Sequence, residues 1–153
     1  MPSVTDPSWS RVLALDVGDR RIGLACSDPT GFLASPIGVY RRSDLASDVE
    51  YIANLVEERQ AGRVVVGLPV NMNGSEGSQA EKTRAFAEAL TARGLVVDLF
   101  DERLTTVEAI RMLQEQGMKR KRIEHHVDEA AATLILEAYL GRHGWRSNSL
   151  AEA

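Results

Sequence analysis

The run Arg11-Val12-Leu13-Ala14-Leu15-Asp16-Val17 decides the fold. After its opening arginine it is apolar at both odd and even positions, so a strand built from it needs cover on both faces. That makes it a central strand, and Asp16 is the one charge inside it. Gly18-Asp19-Arg20-Arg21 turns the chain into a second apolar run, 22–27. Asp28-Pro29-Thr30-Gly31 is a second turn, with Pro fixing φ and Gly free to take positive φ. A third strand, expected over 32–40, completes a meander, and Pro36 within it assigns that strand to the sheet edge.

Beyond the meander, helix starts are expected at capping boxes, a Ser or Thr followed three residues later by Glu: Ser47 with Glu50, Ser78 with Glu81, and Thr105 with Glu108. Gly62, Gly94 and Gly117 suit the left-handed positions that end such helices. The β-branched runs 63–67 and 95–100 between them read as buried strands. A last helix is expected over 127–140, stopped by Gly141. The order βββαβαβαα implies an α/β fold. Its five-stranded mixed sheet has a three-stranded antiparallel meander plus two parallel strands, flanked by helices. In such sheets the functional crevice lies outside the carboxyl ends of the parallel strands.

The 153 residues suit one domain over 11–145, between polar tails at 1–10 and 146–153 expected to be flexible. No apolar run approaches the roughly 20 residues of a membrane span, and the amino terminus lacks the apolar core of a signal peptide. The single cysteine, Cys26, excludes an internal disulfide and a Cys-rich zinc site. Lying in an apolar stretch, it reads as an inert core thiol. These features describe a cytoplasmic protein without a membrane partner. A net charge of −4 argues against coating nucleic acid by bulk attraction. It leaves a nuclease open, because metal-binding carboxylates count as negative until cations occupy them. Lys119-Arg120-Lys121-Arg122 is a local basic cluster in this acidic chain.

Three acids stand where structure alone explains them least. Asp16 shares a strand face with Val12 and Ala14, where a carboxylate wants a cation or donors; its plainer role is to cap the following turn. Glu102, in Asp101-Glu102-Arg103, follows a strand end, where a surface salt bridge is the ordinary alternative. Asp128, expected to open the last helix, shares the stripe of Ala131, Ala132, Ile135 and Tyr139; favour from the helix dipole is its plainer explanation. Brought to one sheet edge, the trio would form an all-oxygen site of the kind Mg²⁺ or Mn²⁺ prefers, able to support two-metal phosphodiester hydrolysis with substrate bound. His125 and His126 are adjacent, without the helical spacing of a zinc pair. The polar loop 71–78 beside the same edge has amides that could meet a phosphate, and Asn71, Arg103, Lys119, Arg120, Lys121 and Arg122 are the substrate-binding candidates.

Four motifs in order carry a family resemblance: Leu15-Asp16-Val17-Gly18 with Arg21-Ile22-Gly23; Val66-Gly67-Leu68-Pro69 with Asn71 and Gly74; Asp101-Glu102-Arg103-Leu104-Thr105-Thr106; and Val127-Asp128 with Ala130-Ala131. Over about residues 11–141 the chain resembles the YqgF (RuvX) family. The resemblance implies an RNase H-like fold and a nuclease, described as maturing the 5′ end of pre-16S rRNA or as resolving Holliday junctions. It implies Asp16, Glu102 and Asp128 as the acidic site. Related junction resolvases carry a second acid three positions after the helix Asp, where this chain has Ala131.

Four readings follow. The first is a nuclease on structured RNA, with nucleic acid as its partner. The second is a DNA junction resolvase, which would act as a homodimer because symmetric cleavage needs two sites. The third is an actin-like ATPase, suggested by Asp-x-Gly before Ile-Gly, although this chain has room for only one of the two domains such enzymes use. The fourth is an RNA- or ribosome-binding module without activity.

Overall fold

The computed structural model describes residues 11–105 and 120–143, with the side chains of the last helix described from 130 to 142. The strands are β1 (Arg11–Val17), β2 (Arg21–Ser27), β3 (Ala34–Arg41), β4 (Ala61–Leu68) and β5 (Val97–Asp101); the helices are α1 (Leu45–Arg59), α2 (Ser78–Ala92) and α3 (Arg120–His143). They form one sheet of order β3-β2-β1-β4-β5. β2 runs antiparallel to both β1 and β3, whereas β4 runs parallel to β1 and to β5. This is the mixed sheet expected from the sequence, with β1 at its centre and β3, carrying Pro36, at one edge.

Strand alternation splits the core in two. Leu13, Leu15, Val17, Ile22, Leu24, Val64 and Val66 face α1 and α2, packing on Ile52, Val56, Phe86 and Leu90. Val12, Ala14, Ala25, Val65 and Phe100 face α3, meeting Ala131, Ala132, Ile135, Leu136 and Tyr139. Each fully buried aliphatic side chain contributes roughly 1.5–3 kcal/mol. The alanines on both sides of the second interface bring α3 close to the sheet.

Several boundaries differ from the sequence reading. Strand β3 starts two residues late because Asp28 Oδ1 accepts the amides of Phe32 and Leu33 at 2.9 and 3.1 Å, tying both into the turn. A bulge shifts the β2–β3 register between Leu24 and Ala25, seating Pro36 opposite Ala25. Helix α1 starts before Ser47: Asp44 is its cap, accepting from Ser47 N at 2.8 Å, and the earlier start lets Asp48 and Val49 enter the core. It ends at Gln60 in the left-handed region (φ 54°), because β4 begins immediately afterwards and Gly62 is already strand. Helix α2 has Gly77 rather than Ser78 as its cap, so Gln79 falls in its first turn and reaches the end of β1. Gly94 has positive φ after α2, as expected. The last helix spans more than 127–140 and runs through Gly141. The buried stripe through Tyr139 and Leu140 outweighs the roughly 1 kcal/mol that an interior glycine costs. The helix expected after Thr105, with Glu108 and Gly117, falls outside the described residues.

Candidate active site

Asp16 is the penultimate residue of β1 and 6 % exposed, on the face that carries Val12 and Ala14. Its neighbours there are minimal. Gly23 is its register partner on β2. On β4, Leu15 pairs with Val66, so the next step of the parallel register sets Asp16 beside Gly67. Gly67 in turn pairs with Phe100 on β5, two residues before Glu102.

At the end of β5 the backbone tightens into a single 3-10 turn, Glu102–Leu104. Asp101 caps it by accepting Arg103 N at 2.8 Å, and Thr105 closes it, its amide and hydroxyl donating to the Glu102 carbonyl at 3.0 and 2.7 Å. The turn directs Glu102 inward, to 5 % exposure. A Cβ added at Gly67 would lie 3.0 Å from Glu102 Oε1 and collide with Ile135 Cδ1. The missing side chain of Gly67 therefore lets Ile135 of α3 and the Glu102 carboxylate come close to the sheet, one strand over from Asp16. Both acids lie at the carboxyl ends of parallel strands, the position this topology reserves for function.

Asp128 lies within α3, two turns before Ile135, not at the start of the helix as expected. The described members of its stripe, Ala131, Ala132, Ile135 and Tyr139, are buried against the sheet. The Asp128 side chain lies outside the described residues. Among those residues, no three His, Cys, Asp or Glu side chains gather closely enough to hold a metal ion. Asp16 and Glu102, which offer only carboxylate oxygens, have the donor chemistry of a hard-cation site such as Mg²⁺ or Mn²⁺.

Of the substrate-binding candidates, Asn71 and Arg103 converge. Arg103 grips Asp101 through Nε and Nη2 at 3.0 and 2.7 Å, and its Nη1 lies 3.8 Å from where a Cβ of Gly74 would be. The hydrogen bonds from Arg103 hold the Asp101 carboxyl below its usual range. Asn71 donates to Ser75 Oγ at 3.0 Å, and the amides of Asn71, Gly74 and Ser75 also donate within the loop, which narrows the expectation that its amides meet phosphate. Arg120, Lys121 and Arg122 belong to α3 itself rather than to a segment before it, with side chains outside the described residues; Lys119 falls outside them altogether.

The sequence reading missed the residues that brace the end of β1. Gln79 Nε2 donates to Val17 O at 3.2 Å, and Arg42 Nη1 donates to Gly18 O at 2.9 Å. Arg42 also bonds the fully buried Asp48 at 2.9 Å and lies over the Phe86 ring. Asp48 further accepts from Tyr40 OH and Ser43 N, each at 2.9 Å. Burial pushes the Asp48 carboxyl up, but the bonds from Ser43, Arg42 and Tyr40 outweigh it and leave it below the ordinary value. Gln79 and Arg42 are far in the chain from the end of β1 that they brace, and no local pattern announces them.

The chain matches the family model described as "RuvX: Holliday junction resolvase" over residues 10–142. It is 50% identical over 135 residues to a protein of Moorella thermoacetica named "Putative pre-16S rRNA nuclease", covering 88% of this chain and 96% of the relative. A protein of the same name from Anaeromyxobacter sp. is 47% identical over 135 residues, covering 87% and 98%. Among solved structures, T. thermophilus RuvC in complex with Holliday junction substrate superposes with a TM-score of 0.54 at 14% identity, over 88% of this chain and 97% of that one. The architecture is thus the RNase H-like fold of RuvC, and the chain belongs to the RuvX family.

Proposed function

We propose that this protein is a metal-dependent nuclease that hydrolyses phosphodiester bonds in structured RNA, acting in the 5′-end maturation of pre-16S rRNA. One observation carries the reading: two buried carboxylates, Asp16 and Glu102, stand at the same edge of the sheet, at the carboxyl ends of parallel strands. The names of the relatives and the family support the choice of nucleic acid as substrate.

Asp16, Glu102 and Asp128 are the catalytic residues of this reading and the ones that would hold the metal. Divalent Mg²⁺ or Mn²⁺, two ions with substrate bound, would supply Lewis-acid stabilisation of the phosphoryl charge and an activated water. The residues of the chain do the rest. Gly67 lets Ile135 and the Glu102 carboxylate pack against the sheet, and the braces on Val17 O and Gly18 O hold Asp16 in place. Asn71, Arg103 and the basic residues Lys119, Arg120, Lys121 and Arg122 hold the substrate backbone. The work on ribosomal RNA is placed in the cytoplasm; no helix among the described residues is long and apolar enough to cross a membrane.

The family description favours a second reading, junction resolution by a homodimer. Ala131, fully buried against the sheet, weighs against it, since the related resolvases have an acid at that point. Cleavage of labelled pre-rRNA, single-stranded RNA and a four-way DNA junction, with Mg²⁺, Mn²⁺ or EDTA, separates the two. We expect metal-dependent cutting of RNA that Asp16→Asn abolishes. Preferred cutting of the junction by a dimer would select the second reading, and binding without cutting under any metal would leave a non-catalytic RNA module.

A further inference from the structure

The meander end of the sheet carries a charge pattern that the acidic site does not use. Arg21 opens β2 and Arg41 closes β3, directly opposite one another in the register. Exposed Arg20 precedes Arg21 in the turn, and these three arginines with Val39 line a cavity of about 340 Å³.

Strand alternation fixes which face this is. Ile22 and Leu24 belong to the α1–α2 core, so Arg21, Gly23 and Ala25 face the α3 side, as Asp16 does. Because Asp16 pairs with Gly23, Arg21 is its diagonal neighbour, at a Cβ separation of roughly 7–8 Å. Arg41 sits one strand further out, about 5 Å beyond. A row of guanidinium groups therefore leads away from the acidic site along its own face.

Among the described residues, two neighbouring charges have partners of their own. Asp19, the acid of the same turn, pairs with Lys82 of α2 at 3.2 Å, and Arg42 turns to the opposite face and Asp48. The row is held rigidly. Gly18 N donates to Arg21 O and Arg42 N to Arg20 O, both at 2.8 Å, joining the turn to the end of β3. Guanidinium groups take phosphate through paired N–H donors, so a sugar–phosphate backbone is the polyanion whose chemistry fits.

We propose that Arg20, Arg21 and Arg41 form a phosphate-binding tract that holds the substrate strand's backbone on the meander side of the Asp16–Glu102 site. The proposal rests on the nuclease reading above. The test is fluorescence-anisotropy binding of labelled single-stranded RNA, and DNA of the same sequence, to Asp16→Asn protein in Mg²⁺ over a range of KCl. Arg20→Ala/Arg41→Ala and Arg21→Gln are compared with Arg59→Ala, which removes an exposed charge before β4 at the opposite end of the sheet.

The double variant is expected to bind roughly tenfold more weakly, with the slope of log K against log salt reduced by about 0.7 for each lost contact. Arg59→Ala is expected to leave both unchanged. With Asp16 restored, the double variant should raise KM about tenfold at nearly constant kcat. Equal losses on RNA and DNA support a tract that reads backbone phosphate, and a loss on RNA alone supports one that also reads the ribose. Unchanged affinity and slope, while the Asp16 enzyme cleaves RNA, would overturn the tract and leave the nuclease standing. Failure of the Asp16 enzyme to bind or cleave any nucleic acid would overturn both.

Discussion

The two faces of the sheet bury carboxylates for different reasons. Toward α1 and α2, Asp48 is fully buried and ringed by Arg42, Tyr40 and the Ser43 amide, donors supplied from within a few residues of it. Toward α3, Asp16 and Glu102 lie almost as deep, but they come from the end of β1 and the turn after β5, far apart in the chain, and bring two carboxylates to the same sheet edge. The donors around Asp48 serve the fold. Two acids brought to one edge serve it less directly, and the proposed nuclease gives that arrangement a use.

The largest expected effect breaks the comparison at the α3 face. Asp16→Asn should lower cleavage by about 10³-fold or more, equivalent to roughly 4 kcal/mol of barrier. The variant should stay folded, because the amide keeps the size and shape of the carboxylate. Single-turnover cleavage and urea unfolding on the same preparation check both halves. Full activity in Asp16→Asn would end the role given to this residue.

Asp48→Asn should do the reverse. Leaving the partly buried Arg42 guanidinium without its counter-charge is expected to cost about 3 kcal/mol of stability, visible as a lower urea midpoint. The pH dependence supports the same assignment. The folded Asp48 carboxyl lies below its ordinary value, so its contribution is complete above the unfolded pKa and is lost as pH falls through the folded one. The Asn variant should therefore lack that part of the acid destabilisation. An unchanged acid profile would remove Asp48 as its source.

Gly67→Ala joins the two effects. The added methyl meets buried Ile135 and the Glu102 carboxylate, so a loss of about 1–3 kcal/mol from overpacking is expected together with weaker cleavage. Pairing it with Ile135→Val should restore most of the stability and little of the cleavage. Recovery of both would reduce Gly67 to a packing residue.

The same contrast explains what could be read before the structure. The sheet type, the central place of β1 and the edge place of β3 were legible because β1 is apolar on both faces and Pro36 needs an edge. Asp16 was legible because a charge inside such a strand is anomalous. Helix starts were less so: Ser47 has the capping pattern, but Asp44 three residues earlier offers an equal cap and a longer helix. Asp48 was illegible as a buried acid, since its donors converge only after β3 and α1 pack. The arginine row was illegible too, because Arg20-Arg21 and Arg41 lie twenty residues apart and only the meander register sets them together.

The smallest expected effect tests the far end of the α3 face, where Tyr139 and Asp98 meet Arg63. Tyr139 donates to Asp98 Oδ2 at 2.6 Å, and Arg63 Nη1 donates to Asp98 at 2.7 Å and to the Tyr139 oxygen at 3.1 Å. Burial first, then the bond to Asp98, push the phenol up to about 12, so it remains a donor at neutral pH. Tyr139→Phe keeps the ring against Phe100 and leaves Asp98 with Arg63, so the loss should be about 1 kcal/mol. Since the folded pKa is raised, this contribution is complete below the unfolded value near 10 and fades as pH climbs toward 12. The stability gap between variant and parent should narrow over that window while cleavage at neutral pH stays equal. If cleavage fell as well, the brace at the start of β4 would be coupled to the acids at its end. The division between a structural and a functional use of buried charge would then have to be drawn across the sheet's ends as well as its faces.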